Sequence, residues 1–255
     1  MRFSFLRVAM RVILIGSLLT PLASGAQSIS YYDSSGQPVK ERKAALLREV
    51  VKIDDSRWEF NIYRMKGPRL VSVQTIDEEG LIPNGRYIHY DPWGNCDTLG
   101  QFINGHKEGH WEIFSFKGRL LTQLEYHTDT LVEERDSTHI TGIFKPVEIQ
   151  AAFPGGPPAW LHFMNRIFRY PDFAVNNGIT GTSAISFLVM TDGSINLQEI
   201  YVFRSAEYSL DQEAITVIRQ SPNWIPAIQA GRPVVSYKTQ PIVFNMEVIG
   251  SPFSR

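Results

Sequence analysis

Four groups of residues have the types and spacing that could do chemistry. Asp192 and Asp211 offer two carboxylates, the pair that general acid–base hydrolysis needs. "HKEGH" (His106–His110) places two imidazoles around Glu108, a ligand set that suits a divalent metal. Cys96 is the only thiol. "FPGG" (Phe153–Gly156) resembles a glycine-rich phosphate cradle. Each also has a structural explanation. Asp192 precedes Gly193 in a turn signal, and Asp211 sits early in an amphipathic stretch where a helix dipole favours an acid. Gly109 loosens the histidine string, which is not the helical H-E-x-x-H arrangement; the two histidines then lie on the polar edge of a sheet. A single cysteine excludes an intramolecular disulfide and a thiolate cluster, and Cys96 reads as a small half-buried hairpin residue. "FPGG" lacks a following Lys-Ser/Thr and a preceding strand. The sequence has no G-x-S-x-G elbow. These residues point to a protein that is not an enzyme and that uses no cofactor or metal. An envelope hydrolase built on Asp192 and Asp211 stays open as an alternative.

The elements that hold these residues begin with a leader. "MRFSFLRVAMR" is basic, "VILIGSLLTPLA" is apolar but shorter than the roughly 20 residues of a bilayer span, and "SGA" ends in small residues. Residues 1–26 read as a secretory signal peptide cleaved near Ala26–Gln27. The competing readings are a retained N-terminal anchor and a buried strand. Of 255 residues, 43% are hydrophobic and 20% charged, as in an ordinary globular protein. Without Arg2, Arg7 and Arg11, the 25 basic residues become 22 against 26 acidic, a balance of −4. That balance gives no general attraction to nucleic acid. Export places the protein in the periplasm or at the outer membrane.

Residues 27–135 are short aromatic runs punctuated by glycine. "NGRYIHYDPWG" (Asn84–Gly94) and "EGHWEIFSFKG" (Glu108–Gly118) align at an offset of 24 residues, with Gly85 on Gly109, Tyr87 on Trp111, Tyr90 on Phe114 and Gly94 on Gly118. Looser copies end at Gly36 and Gly67. Such a period implies one small β unit repeated along the chain. Alternation in "GRYIHY" leaves both faces partly apolar, and Asn104-Gly105 and Glu108-Gly109 read as turns. "NGHKEGHWEIFSFKG" (Asn104–Gly118) resembles the MORN-type repeats in their bacterial variant. That resemblance implies successive antiparallel hairpins and no particular chemistry.

Residues 136–152 read as a linker, and the prolines of the connector "KPVEIQAAFPGGPP" (Pro146, Pro154, Pro157, Pro158) oppose helix while its glycines allow redirection. In the second half, Trp160, Phe163, Met164, Ile167 and Phe168 form a helical stripe after Pro157-Pro158 and before Tyr170-Pro171. "TSAISFLVMTDGSINLQEIYVF" reads as a hairpin around Asp192-Gly193, and "SLDQEAITVIRQS" as a helix with Leu210, Ala214 and Ile218 inward. "RPVVSYKTQPIVFNMEV" (Arg232–Val248) reads as one long strand, whose Pro241 indicates an edge or a bulge. "FPGG", "YPDFAVNNGITG", "ISFLVMTDGSI", "LDQEAITVIRQSPNWIPAIQAGRPV" and "PIVFNM" then resemble, in order and spacing, the C-terminal domain of the TonB family. The expected fold is a two-domain chain. An all-β MORN-like repeat of antiparallel hairpins precedes an α+β TonB-like domain (153–248) with a three-stranded antiparallel sheet and two helices, and a tail follows at 249–255. The resemblance implies strand addition by an extended partner segment along Val234–Phe244. Val234, Val235, Tyr237, Gln240, Val243 and Phe244 become partner-binding candidates by analogy, with Gln198–Ile200 beside them. The partner implied is a protein or peptide of the cell envelope, such as a TonB-dependent outer-membrane transporter. Pairing of two copies through edge strands is a further option. An energy-transducing TonB component is the alternative reading, although a cleaved leader and a repeat-filled interval depart from that family's anchor and proline-rich spacer.

Overall fold

The computed structural model describes residues 27–136 and 147–246. The leader, residues 137–146 of the linker and the tail lie outside them. The chain divides into two compact units between residues 141 and 142.

The first unit is a nine-stranded antiparallel sheet whose strands lie side by side in chain order. They are β1 (Gln27–Tyr32), β2 (Leu46–Asp54), β3 (Arg57–Arg64), β4 (Arg69–Thr75), β5 (Pro83–Tyr90), β6 (Cys96–Ile103), β7 (His106–Phe114), β8 (Leu120–His127) and β9 (Thr130–Asp136). The turns explain the glycine punctuation. Asn104 and Gly105 both have left-handed φ values, 48° and 88°, as a tight hairpin between twisted strands needs. The 24-residue offset is real in three dimensions, because Gly85 and Gly109, and Gly94 and Gly118, all carry positive φ. One expectation fails: Glu108-Gly109 lies within β7, where Gly109 bends the strand without ending it. The Thr128-Asp129 turn has no glycine yet adopts φ of 47° and 64°. Asp129 offsets the cost by accepting from the Lys107 amide at 2.7 Å.

Alternation in the strands sorts side chains onto two different faces. Tyr32, Leu46, Val50, Phe60, Ile62, Val71 and Val73 form an apolar cluster on one face. Trp111 continues that face. Its ring lies directly on Gly100, where an added Cβ would fall 2.3 Å from it. It packs against Tyr87 at 5.5 Å and Phe102 at 5.2 Å, under the Lys107 ammonium at 4.5 Å. The other face buries polar groups. Glu49 accepts from Gln27 and from Asn61 Nδ2 (2.9 Å), while Arg69 donates to Asn61 Oδ1 (2.9 Å) and to the Tyr63 hydroxyl (2.8 Å).

The second unit contains α1 (Gly156–Ile167), a short α2 (Asp172–Asn176), β10 (Gly181–Val189), β11 (Ile195–Arg204), α3 (Tyr208–Arg219), β12 (Ala227–Gln229), β13 (Arg232–Val234) and β14 (Ser236–Phe244). Its main sheet has three antiparallel strands in the order β11-β10-β14, as expected. The expected single long strand is two, because the chain changes partners at Val235: β13 pairs with β12, and β14 with β10. Ile149 and Ala152 bridge to Ile228 and Ile225, so these linker residues are bonded into this unit. α1 starts after Gly155 (φ 81°) with prolines in its first turn, so "FPGG" is a helix entry. Phe153 anchors that entry, packing against Trp160, Phe163 and Trp224 at 5.2, 5.4 and 5.5 Å. The Asp192-Gly193 turn docks on the same tryptophan's backbone. The Trp224 amide donates to Gly193 O at 2.8 Å, and a Cβ on Gly193 would meet Trp224 O at 2.0 Å.

Candidate functional site

The four chemical groups find structural roles. Asp192 accepts from Ser194 N (2.9 Å) and Ser194 Oγ (2.6 Å), closing its turn; these bonds hold its carboxyl below the usual range. Asp211 is fully buried at the start of α3 and accepts from Ser183 Oγ and Ser205 Oγ, both at 2.6 Å, and from Ala206 N at 3.2 Å. Ser183 lies nine residues along β10 and its turn from Asp192, about 30 Å at strand rise. The two carboxylates therefore cannot flank one bond, and the acid–base pair is not formed. On β7, His106 meets Asp129 at 2.7 Å and His110 meets Glu125, while Glu108 meets His127 at 2.8 Å. His106, Glu108 and His110 are thus each tied to a different partner, and no metal-ligating group of three occurs among the described residues. Cys96 is fully buried at the start of β6, deeper than the half-burial expected, and burial pushes its thiol pKa up.

What remains is β14. It is an end strand of its sheet, with β10 as its paired neighbour. The β10–β14 register runs unbroken from Gly181↔Phe244 to Val189↔Ser236 and includes Ala184↔Pro241. Proline has no N–H to give, so it fits this ladder where the pair is of the non-hydrogen-bonded kind and its nitrogen points away from β10. Gln240 Nε2 donates to Pro241 O at 3.2 Å, as expected of a carbonyl that also faces outward. Alternation then assigns the rest. The backbone N–H and C=O groups of Tyr237, Thr239 and Val243 face the open edge, while those of Lys238, Gln240, Ile242 and Phe244 bond to β10.

Side chains follow the same period. Ile242 and Phe244 point to the helices, and Phe244 is 1% exposed against Phe168 (5.1 Å) and Tyr170 (5.7 Å). Tyr237 and Val243, 50% and 66% exposed, stand on the opposite face. Of the six sequence candidates, Tyr237 and Val243 thus place half-exposed or exposed side chains on the outer face of this end strand. Gln240 contributes only its side chain, and Val234 and Val235 lie on and just after β13, apart from this ladder. Phe244 is a core residue. The Gln198–Ile200 stretch lies on β11, which β10 separates from β14; the Tyr237 side chain reaches across, and its hydroxyl donates to Glu199 Oε2 at 3.1 Å. Tyr201 on β11 meets Tyr237 at 6.0 Å. The sequence reading missed it because the cross-strand register could not be fixed through the bulge in β11.

A family model described as the Gram-negative bacterial TonB protein C-terminal matches residues 167–246, from the end of α1 through β14. The match lies within the second unit, so the MORN-type resemblance of the first stands on its hairpins and glycine spacing alone. No curated protein matches the chain. A solved structure that does match is the NMR solution structure of Helicobacter pylori TonB-CTD, 24% identical, covering 36% of this chain and 85% of that one with a TM-score of 0.27. No helix among the described residues is long and apolar enough to cross a membrane.

Proposed function

We propose that the second unit is a non-enzymatic protein-binding module of the cell envelope that takes an extended partner segment as an added strand along β14. The observation that supports this most directly is the end position of β14, whose N–H and C=O groups at Thr239 and Val243 face away from β10 by alternation. Such groups are a template for main-chain pairing, and the side chains beside them select among partners. The family match over the same residues favours a partner of the kind TonB-like domains engage, a protein or peptide of the envelope such as a TonB-dependent outer-membrane transporter. The nine-stranded unit serves as a spacer or adaptor, and the leader routes the chain to the periplasm.

Amide hydrogen exchange across residues 234–244, with and without envelope extract, tests the reading. Slowed exchange at Thr239 and Val243 is expected. Binding with protection elsewhere and none in this segment would overturn it. A second reading, an energy-transducing component, also draws on the family match. Sequencing the N-terminus of the mature protein separates the two: a soluble protein starting near Gln27 supports the adaptor, and retention in the membrane through residues 12–23 supports transduction.

A further inference from the structure

The nine strands of the first unit run antiparallel in chain order, so their connections alternate between the two ends of the sheet. Segments 33–45, 65–68, 91–95 and 115–119 lie at one end, and 55–56, 76–82, 104–105 and 128–129 at the other. The two ends differ in charge. The second set contains Asp55, Asp77, Glu78, Glu79 and Asp129 and no lysine or arginine. In the first set Lys66, Lys117 and Arg119 are exposed, whereas Asp91 is buried in its own turn, accepting from Trp93 N and Asn95 N at 2.9 Å. Segment 33–45 adds Lys40, Arg42 and Lys43 against Asp33 and Glu41.

Both ends also hold apolar side chains in water. At the basic end Trp93 and Phe116 are 72% and 68% exposed. At the acidic end Leu81, Ile82 and Ile103 are exposed too, and hydrogen bonds fix the loop that presents two of them. Asp77 accepts from the Leu81 and Ile82 amides at 2.8 and 2.7 Å, and the Gly105 amide donates to Pro83 O at 2.8 Å, tying the next turn to that loop. The turns at each end recur every two strands, about 10 Å, and the two ends are offset by one strand, about 5 Å. Sheets set end to end therefore bring each tip of the basic end opposite a gap between turns of the acidic end. Trp93, between β5 and β6, then meets the interval between loop 76–82 and Asn104-Gly105, where Ile82 and Ile103 stand. Lys66, between β3 and β4, meets the interval between Asp55 and Glu79, and Lys117 the one bounded by Asp129.

We infer that the nine-stranded unit binds a second copy of itself end to end, the basic, aromatic end of one against the acidic, aliphatic end of the next. The contact joins two different surfaces, so it repeats into strings or rings and does not close as a two-fold dimer. Its footprint is the end of a single sheet layer, small for a stable interface, so each contact is weak and salt-sensitive. It is independent of strand addition at β14.

Sedimentation velocity of the full chain tests this. The weight-average sedimentation coefficient should rise with concentration in about 0.1 M salt. Association should weaken about tenfold in about 1 M salt, where the screening length falls from about 10 to about 3 Å. Lys66→Glu with Lys117→Glu reverses one end, and Asp55→Lys with Glu79→Lys the other. Each double variant should stay a monomer alone, and an equal mixture of the two should associate, because each then meets a complementary end. Trp93→Ser should weaken association about tenfold with every charge kept. Unchanged circular dichroism shows that each variant keeps its sheet. Association that survives both reversals would place the contact elsewhere, such as the edges of β1 and β9, and overturn the inference. A single species at every concentration up to about 1 mM would overturn it as well, including where the basic end is instead retained on phosphatidylglycerol vesicles.

Discussion

Glu49 shows how a single side chain sets a pH dependence. Burial raises its pKa most strongly, against the opposing attraction of Arg69 and the bonds from Asn61 and Gln27. A carboxyl whose folded pKa lies above its unfolded value contributes stability below the unfolded value, and that contribution fades as pH rises through the folded one. The first unit should therefore lose stability in urea as pH rises from about 4.5, and Glu49→Gln should flatten this slope. Gly193 sets a steric limit. With φ at 84° and Trp224 O at 2.0 Å from any Cβ, Gly193→Ala should cost about 3 kcal/mol or more, read as a lower denaturation midpoint. At this scale the sequence was readable where a residue explains itself locally. Asp192 and Gly193 announce their turn by type alone. Asp211 looked like a residue placed for the helix dipole, and its three bonds to Ser183, Ser205 and Ala206 depend on strand positions the chain reaches only after folding. The polar face around Glu49, Asn61 and Arg69 was equally invisible, because nothing in "LLREVVKID" states that its charges will be buried.

Among elements, α3 shows what a helix needs at its start. Glu207, just before it, accepts from Ser209 N at 2.8 Å and from Leu210 N at 3.4 Å. Glutamate is not among the favoured capping types, and the sequence reading began its helix at Ser209, with Asp211 near the start, without identifying a cap. Glu207→Ala should destabilise the second unit by about 1 kcal/mol in chemical unfolding. β14 allows a sharper check. In the free protein the amides of Lys238, Gln240, Ile242 and Phe244 should exchange slowly and those of Thr239 and Val243 quickly. Slow exchange at all six would contradict the outward placement of Pro241. The hairpins and both long helices were legible from period and punctuation. The break at Val235 was not, since a run of β-formers carries no mark of where it trades one neighbour for another.

On the scale of the whole chain, each unit pairs its strands internally. Fragments 27–136 and 147–246 should accordingly each unfold cooperatively when expressed alone, as seen by circular dichroism on heating; a fragment without a transition would show that its fold needs the other. The two sheets differ in one respect that governs how they come into being. In the nine-stranded sheet every strand pairs with its neighbours in sequence, so each closure is short and assembly can advance hairpin by hairpin. In the three-stranded sheet β10 lies in the middle, and one of its two flanks is filled by β14, which arrives much later: Ser186 and Thr239, facing each other, are 53 residues apart. During synthesis, β10 and β11 must wait with that flank bare until nearly the last described residue has emerged. For that interval the chain exposes an apolar strand edge to any neighbour able to pair with it, and a chaperone or a second nascent copy would find it there.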